Sequence, residues 1–473
     1  MAPHITIRNL TSDSITVVLL ERFSPPGHDD PGHVKKLSSL TRNVTEFVSN
    51  ATGLSSLGPP SRKLPDNAQP YARQDVDLPL DSFAARSTDL APTDRSADDI
   101  ARLTVSVDNQ RYRIDVPGPQ PKYGSQTFTP LDQSPRRELT GIWLSGSSTL
   151  AVYSSAHLDS WMRELPDHLP LSALSIPGTH NSPTCHSALP SVRCQAVSPR
   201  EQLLNGVRFF DVRVQPEEPE NPNHDGLVLV HGVFPISLTG KKHFRDLMNE
   251  SLEFLDQHPS ETLIMSIKRE GPGTHNDAQL AEKLARHYAG DEGKWFTQPR
   301  VPTLGEARGK IVLFRRFGLS DELRQRNDGR GWGGLNAENW AYNTQDCETG
   351  DVRVQDFCEV LDTVNIDDKI KYVTEHLARA GGVTWPTEGD TGKVFVNFLT
   401  ASNFWSPGCW PDKIAAKLNP AAIDFLAGKQ QHGDQGDWGT GIVVMDWVGD
   451  EGDWDLVRAV VGMNARIMKR TRR

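Results

Sequence analysis

The chain has 473 residues, of which 37% are hydrophobic and 24% charged, with a formal net charge of −10. That length accommodates two or three domains. The acidic balance excludes a general nucleic-acid binder, which needs a basic face against a phosphate polymer. No apolar run reaches the roughly 18 residues that a transmembrane helix requires.

The N-terminus reads MAPHITIRNLTSDSITVVLLERF, without a basic segment leading into a long apolar core. No secretory signal is therefore expected, and the chain is expected to be cytoplasmic, or secreted without a recognisable signal peptide. Two strand-like runs, Ile5–Asn9 and Ser14–Arg22, are rich in Ile, Thr and Val and flank a polar turn at Thr11–Asp13. Around residues 51–100, Pro, Ser, Asp and Ala dominate, with Pro59-Pro60, and this segment reads as a long loop. Strand signals return at Arg102–Val107, Arg111–Val116 and Val152–Ser155. Residues 1–155 are therefore predicted to form a small, mostly-β, sandwich-like domain with a loop-like insertion, and nothing in it carries chemistry.

From residue 156 to 473, short apolar strands alternate with amphipathic helices, the pattern of an α/β fold. The predicted strands are Ser172–Ile176, Phe209–Val214, Leu227–Val230, Thr262–Ile267, Lys310–Phe314, Val394–Asn397 and Ile442–Met445, with helices at Lys241–His258 and Ala278–Ala289. Such a count over this length suits a distorted (β/α)8 TIM-type barrel better than an open doubly wound sheet. No GxGxxG follows a predicted strand and no GxxxxGK[ST] occurs, so nucleotide-binding folds lose their main support. The five cysteines, Cys185, Cys194, Cys347, Cys358 and Cys409, form no CxxC and no zinc spacing. Free thiols are favoured over two local disulfides, Cys185–Cys194 and Cys347–Cys358.

In a barrel the functional suspects stand at the C-terminal ends of the strands. SIPGTHNS places His180 and Asn181 after the first strand. VRFFDVRV places Asp211 and Arg213 two apart, on one face of the second. LVLVHG ends in His231, which is predicted to close the third. LIMSIKRE carries Lys268 and Glu270, IVLFRRF ends in Arg315 and Arg316, and GIVVMDW places Asp446 at the end of the last strand. Two histidines can take and give a proton. A carboxylate can orient one of them, and an arginine can neutralise charge developing on a phosphoryl oxygen. This set cleaves a phosphodiester by a neighbouring hydroxyl and needs no cofactor. The plainer reading of Lys268 and Glu270 is a mutual ion pair. Asp211 and Arg213 admit the same reading.

The ordered series SIPGTHNS, GVRFFDVRV, LVLVHG, PSETLIMSIKRE, ARGKIVLFRRF, VQD and VVMDW resembles the X domain of phosphatidylinositol-specific phospholipases C. It is closer to the metal-independent bacterial and fungal type than to the calcium-dependent signalling enzymes. The resemblance implies that His180 is the general base on the inositol 2-hydroxyl, paired with Asp446, and that His231 is the general acid. It implies that Arg213 stabilises the phosphorane with support from Asp211. Lys268, Arg316 and Asp356 match positions that bind inositol hydroxyls, and Asn181 and Glu270 join them as expected substrate contacts. The implied products are diacylglycerol and inositol 1,2-cyclic phosphate, formed without calcium or another cofactor. The sequence departs from the bacterial pattern at Asn181, where those enzymes have Asp, and at Cys358, where they have a substrate-stacking Tyr.

The expected partners are phosphatidylinositol or a related inositol phospholipid and a membrane interface bound peripherally; the oligomeric state is left open. The segment Asn397–Pro411 follows a barrel strand and carries Phe404, Trp405 and Trp410, which are expected to touch the membrane. Two other readings compete. One is a different barrel phosphodiesterase, of the glycerophosphodiester or sphingomyelin type, which would carry acidic metal ligands where Arg213 and Lys268 stand. The other is a lipid-binding pseudoenzyme.

Overall fold

The computed structural model describes residues 4–25, 63–65, 67–88, 99–118, 124–154, 157–385, 392–429 and 436–471. The chain divides into two compact units, Met1–Ser155 and Ala156–Arg473.

The first unit holds two five-stranded sheets. One runs in the order Ala85–Ser87, Thr6–Asn9, Thr149–Ser154, Leu139–Leu144, Ser125–Thr127. The other runs Ala72–Leu80, Ile15–Phe23, Ile100–Val107, Gln110–Val116, Thr129–Pro130. Ile7, Leu139, Leu150 and Val152 of the first sheet share one core with Val17, Leu20, Leu103, Val105 and Ile114 of the second. This is two sheets packed face to face. Alternation along Ile15–Phe23 is broken by a register shift between Val17 and Leu19, so Leu20 rather than Leu19 turns inward.

The insertion expected around 51–100 is only partly tested. Pro59-Pro60 lies outside the described residues, but Ala72–Leu80 and Ala85–Ser87 are strands, contrary to the loop expectation. Val76, Leu78 and Leu80 alternate and meet the core. Proline and acidic residues obscure that alternation in the sequence. The strand lies at a sheet edge, where Pro79 can lack an N–H without breaking an interior ladder.

The second unit is built on eight parallel strands: β1 Ile176–Thr179, β2 Phe209–Pro216, β3 Leu263–Arg269, β4 Ile311–Arg316, β5 Leu335–Asn336, β6 Val352–Asp356, β7 Val394–Phe398 and β8 Ile442–Met445. Pairing runs β5-β4-β3-β2-β1-β8-β7-β6, parallel throughout. No ladder joins β5 to β6 among the described residues. They are linked instead through Asp351 and Asn336, Asp351 N donating to Asn336 O at 2.9 Å and Asn336 N donating to Asp351 Oδ2 at 2.7 Å. The result is a TIM-type α/β barrel opened along one seam.

The strands are buried on both faces, which explains their nearly continuous apolar runs, such as Leu263, Ile264 and Met265. Helices Phe244–Gln257 and Asp277–His287 provide the crossovers into β3 and β4. The second of them begins with a reciprocal cap between Asn276 and Gln279. Just before β2 and β3, Arg208 and Glu261 form a fully buried ion pair at 2.9 Å. Arg208 also donates to four backbone carbonyls. Loss of either partner would strand a buried charge, at a cost of about 3–5 kcal/mol.

Two of the predicted barrel strands are also corrected. Leu227–His231 is not a barrel strand: it pairs antiparallel with β2, Val214 opposite Leu229, and turns into a short hairpin with Phe234–Pro235. The connection from β2 is too short for the helical crossover that a parallel neighbour needs. LIMSIKRE therefore forms the third barrel strand. Ser172–Ile176 likewise begins as a 3-10 turn over Leu171–Ala173, and the strand proper starts at Ile176.

Candidate active site

The C-terminal ends of the barrel strands surround a cavity of about 670 Å³, lined in part by His180, Arg213, His231, Lys268, Glu270, Arg316 and Asp356. These residues come from β1, β2, the antiparallel hairpin, β3, β4 and β6. Only the barrel brings them together, because they span 177 positions from 180 to 356 (356 − 180 + 1).

His180 follows β1 and is held by its Nδ1, 2.9 Å from Asp446 Oδ1 at the end of β8. Asp446 is buried, 1% exposed. Burial favours the neutral ring, but the Asp446 carboxylate outweighs it and raises the His180 pKa above the ordinary histidine value. With Nδ1–H directed to Asp446, Nε2 keeps its lone pair, which accepts from Asn181 Nδ2 at 3.1 Å. His231 stands edge-on to His180, with ring centroids 5.9 Å apart. Its Nδ1 donates to Val192 O at 3.0 Å, which leaves Nε2 to the cavity.

The Arg213 guanidinium is clamped between two carboxylates. Nη2 lies 3.1 Å from Asp211 Oδ2, and Nη1 lies 2.9 Å from Glu270 Oε1. Asp211 is fully buried and also accepts from Arg316 Nη1 at 3.2 Å. Burial pushes the Asp211 carboxyl up, but Arg213 and Arg316 overcome this and hold it well below the usual carboxylate range. Glu270 is likewise pushed up by burial but lowered by Arg213 and Lys268, to about 2. Lys268 pairs with Glu270 at 2.8 Å, as the plainer reading expected, and both still face the cavity. The guanidinium of Arg316 lies 3.5 Å over the Trp340 ring.

Such a site carries fixed positive charge beside a proton acceptor and a second imidazole. It can neutralise a phosphoryl group while moving a proton on and off its ester oxygens.

Residues 168–317 match the family model described as phosphatidylinositol-specific phospholipase C, X domain. A 1-phosphatidylinositol phosphodiesterase of Staphylococcus aureus (strain Newman) is 27% identical over 335 residues, covering 66% of this chain and 98% of that protein. One from Listeria monocytogenes is 30% identical over 174 residues, covering 34% of this chain and 50% of that protein. A solved structure of the F249X mutant of the S. aureus phosphatidylinositol-specific phospholipase C superposes with TM-score 0.51 at 25% identity, covering 65% of this chain and 98% of that one. Residues 168–317 thus carry a phosphatidylinositol-specific phospholipase C X domain, and the barrel is similar to bacterial 1-phosphatidylinositol phosphodiesterases.

Within this family's frame, three expected site residues lie behind the wall rather than on it. Asn181, expected to touch substrate, is 1% exposed and does not line the cavity. It sits at φ +43 in a tight turn, with its backbone N–H on Asp211 at 3.3 Å, which carries the side chain inward behind His180. Asp211 and Asp446 are also buried and act on the residues that face the cavity. Arg315 turns away to Glu338 and the Phe317 carbonyl. Asp356 faces the cavity, and its carboxylate accepts no hydrogen bond from a described residue, leaving it open to a hydroxyl.

Sequence reasoning missed Trp340, Tyr342 and Glu359, all on the cavity wall. They stand in a segment with weak strand signals around β5 and β6. It also missed Cys194, a buried thiol between the two histidines. Burial and Asp446 push this thiol up, but His180 and His231 outweigh them and lower it to about 7. All five cysteines are free.

At the rim, Trp405 is 87% exposed and Phe404 39%. Phe404 stacks on Phe234 of the hairpin at 5.9 Å and meets Trp405 edge-on at 4.9 Å. Trp410 begins the helix Pro411–Asp424 and donates its Nε1–H to Phe404 O at 3.2 Å. No described helix is long and apolar enough to cross a membrane.

Proposed function

We propose that this chain is a phosphatidylinositol-specific phospholipase C that works by acid–base catalysis without a metal. The observation that carries this is His180, backed by Asp446, sharing one cavity with His231 and a carboxylate-clamped Arg213. In this reading His180 Nε2 takes the inositol 2-hydroxyl proton as that oxygen attacks phosphorus. Arg213 stabilises the negative phosphorane, and protonated His231 delivers a proton to the departing diacylglycerol oxygen. Bonds and protons balance: one P–O bond forms, one breaks, and the cyclic inositol phosphate leaves with diacylglycerol. Lys268, Arg316 and Asp356 hold the inositol hydroxyls, while Glu270 and Asp211 keep the cations in place. Turnover on phosphatidylinositol, with inositol 1,2-cyclic phosphate as product, tests the reading. Preference for a glycerophosphodiester or sphingomyelin would favour a different barrel phosphodiesterase, and binding without turnover a pseudoenzyme.

The metal-free part has its own test. Asn181, Asp211 and Glu270 could attract a hard divalent ion, but Arg213 and Lys268 stand among them and repel it. A fixed guanidinium does the electrostatic work without a binding equilibrium. Full activity is expected in excess chelator. Loss of activity that calcium restores would overturn this part.

The lipid surface is met through the exposed rim of Phe404 and Trp405, continued by Val233 and Phe234 on the hairpin. Burying a large aromatic is worth about 1.5–3 kcal/mol, or at least ~10-fold in affinity. Trp405→Ala should weaken vesicle binding by that order and spare cleavage of soluble inositol cyclic phosphate. Vesicle co-sedimentation beside soluble-substrate kinetics measures both. An equal loss on the two would move Trp405 from the membrane to the substrate site.

A further inference from the structure

Nothing in the acid–base reading uses Cys194, yet its position is unusual. The residue is fully buried, and one ligating atom each from His180, Cys194 and His231 falls within 4.8 Å of the other two. The Cys194 Sγ is 3.8 Å from His231 Nδ1. Tetrahedral zinc, with Zn–N and Zn–S bonds near 2.0–2.1 and 2.3 Å, holds such atoms about 3.6 Å apart. Small side-chain shifts would close the set, at the expense of the His231 bond to Val192 O.

Two more features point to an ion. His180 is oriented by a buried carboxylate through Nδ1, the arrangement that fixes a metal-binding imidazole and raises its basicity. The Asn181 amide lies between the donors, with Nδ2 3.1 Å from His180 Nε2 and 3.8 Å from Sγ. Its Oδ1 is buried and has no hydrogen-bond partner among the described residues. Half a turn of that amide puts an oxygen where the nitrogen now stands and adds a fourth donor. One thiolate and two imidazoles select a thiophilic ion such as Zn²⁺ and discriminate against calcium.

We infer that His180, Cys194 and His231, with the Asn181 amide oxygen, form a binding site for a thiophilic divalent cation, and that Zn²⁺ bound there shuts off phosphodiester cleavage. The ion would occupy the lone pair of His180 and immobilise His231, removing base and acid together. The inhibitory half rests on the functional reading above; the site itself does not.

The test uses the full chain, stripped with chelator and then freed of it. Co²⁺ is expected to bind one per chain with a thiolate-to-metal charge-transfer band, and Zn²⁺ to displace it. Zn²⁺ should also abolish turnover reversibly. Cys194→Ser and Cys194→Ala should lose the band and need at least ~10-fold more Zn²⁺ for half-inhibition, the scale of a lost metal contact. Their metal-free turnover, expected within a few-fold of the parent, certifies the fold. Absence of the band in the parent, or inhibition unchanged in both variants, overturns the site. The band without inhibition overturns the shut-off. If the chain cleaves no phosphatidylinositol, the functional reading falls while the band still decides the site.

Discussion

Arg213→Lys should lower kcat on phosphatidylinositol by ~10²–10³-fold, the range for losing one preorganised donor to a developing oxyanion. The reason is geometric. Arg213 spans Asp211 and Glu270 with different nitrogens of one planar group, and an ammonium cannot bridge both while presenting a further fork to phosphate. The substitution should also destabilise the fold modestly, because fully buried Asp211 would keep Arg316 as its main cation. Steady-state kinetics beside thermal denaturation separates the two effects. A kcat within ~10-fold of the parent, in a folded variant, would remove Arg213 from the phosphoryl contact.

His180→Ala and His231→Ala should each reduce turnover by at least ~10²-fold, the scale of a positioned acid or base. The two differ in how they recover. A substrate whose leaving group departs without a proton should restore much of the activity of His231→Ala and none of that of His180→Ala. Equal loss on both substrates would refute the acid role. The pH profile supplies the sign check. His180 works only when unprotonated, and Asp446 raises its pKa above the ordinary value against the opposing effect of burial. Activity must therefore be lost as pH falls through that raised pKa. Asp446→Asn removes the raising charge, so the acidic limb should move to lower pH while the plateau rate drops. A limb that stays in place would mean that another group sets it.

Much of this was legible because barrel chemistry stands at predictable points. His180, Arg213, Lys268 and Arg316 face the cavity, as strand-end placement implied, and Asp356, expected from the family resemblance alone, faces it too. The hairpin was misread for a local reason. LVLVH has the apolar composition of a buried strand whether its neighbour is parallel or antiparallel, and only the length of the preceding connection distinguishes them. His231 reaches the site all the same, since the hairpin folds back along β2. The edge strand Ala72–Leu80 was hidden by charges and prolines that an edge tolerates. Asn181 was expected as a substrate contact but lies behind His180. The positive φ that turns it inward leaves no signature in the residue types around it.

The sequence by itself determined the likeness to the X domain and the identity of most of the charged groups, because those depend on ordered motifs and on residue chemistry. Tertiary structure alone decided which groups touch. The opening between β5 and β6, the cavity wall of Trp340 and Tyr342, and the approach of Cys194 to His180 and His231 all arise from long-range packing. A buried thiol at position 194 carries no periodicity and no motif. Its neighbours 14 positions before it and 37 after it (194 − 180 and 231 − 194) become neighbours only when a loop, a barrel strand and a hairpin close over one another.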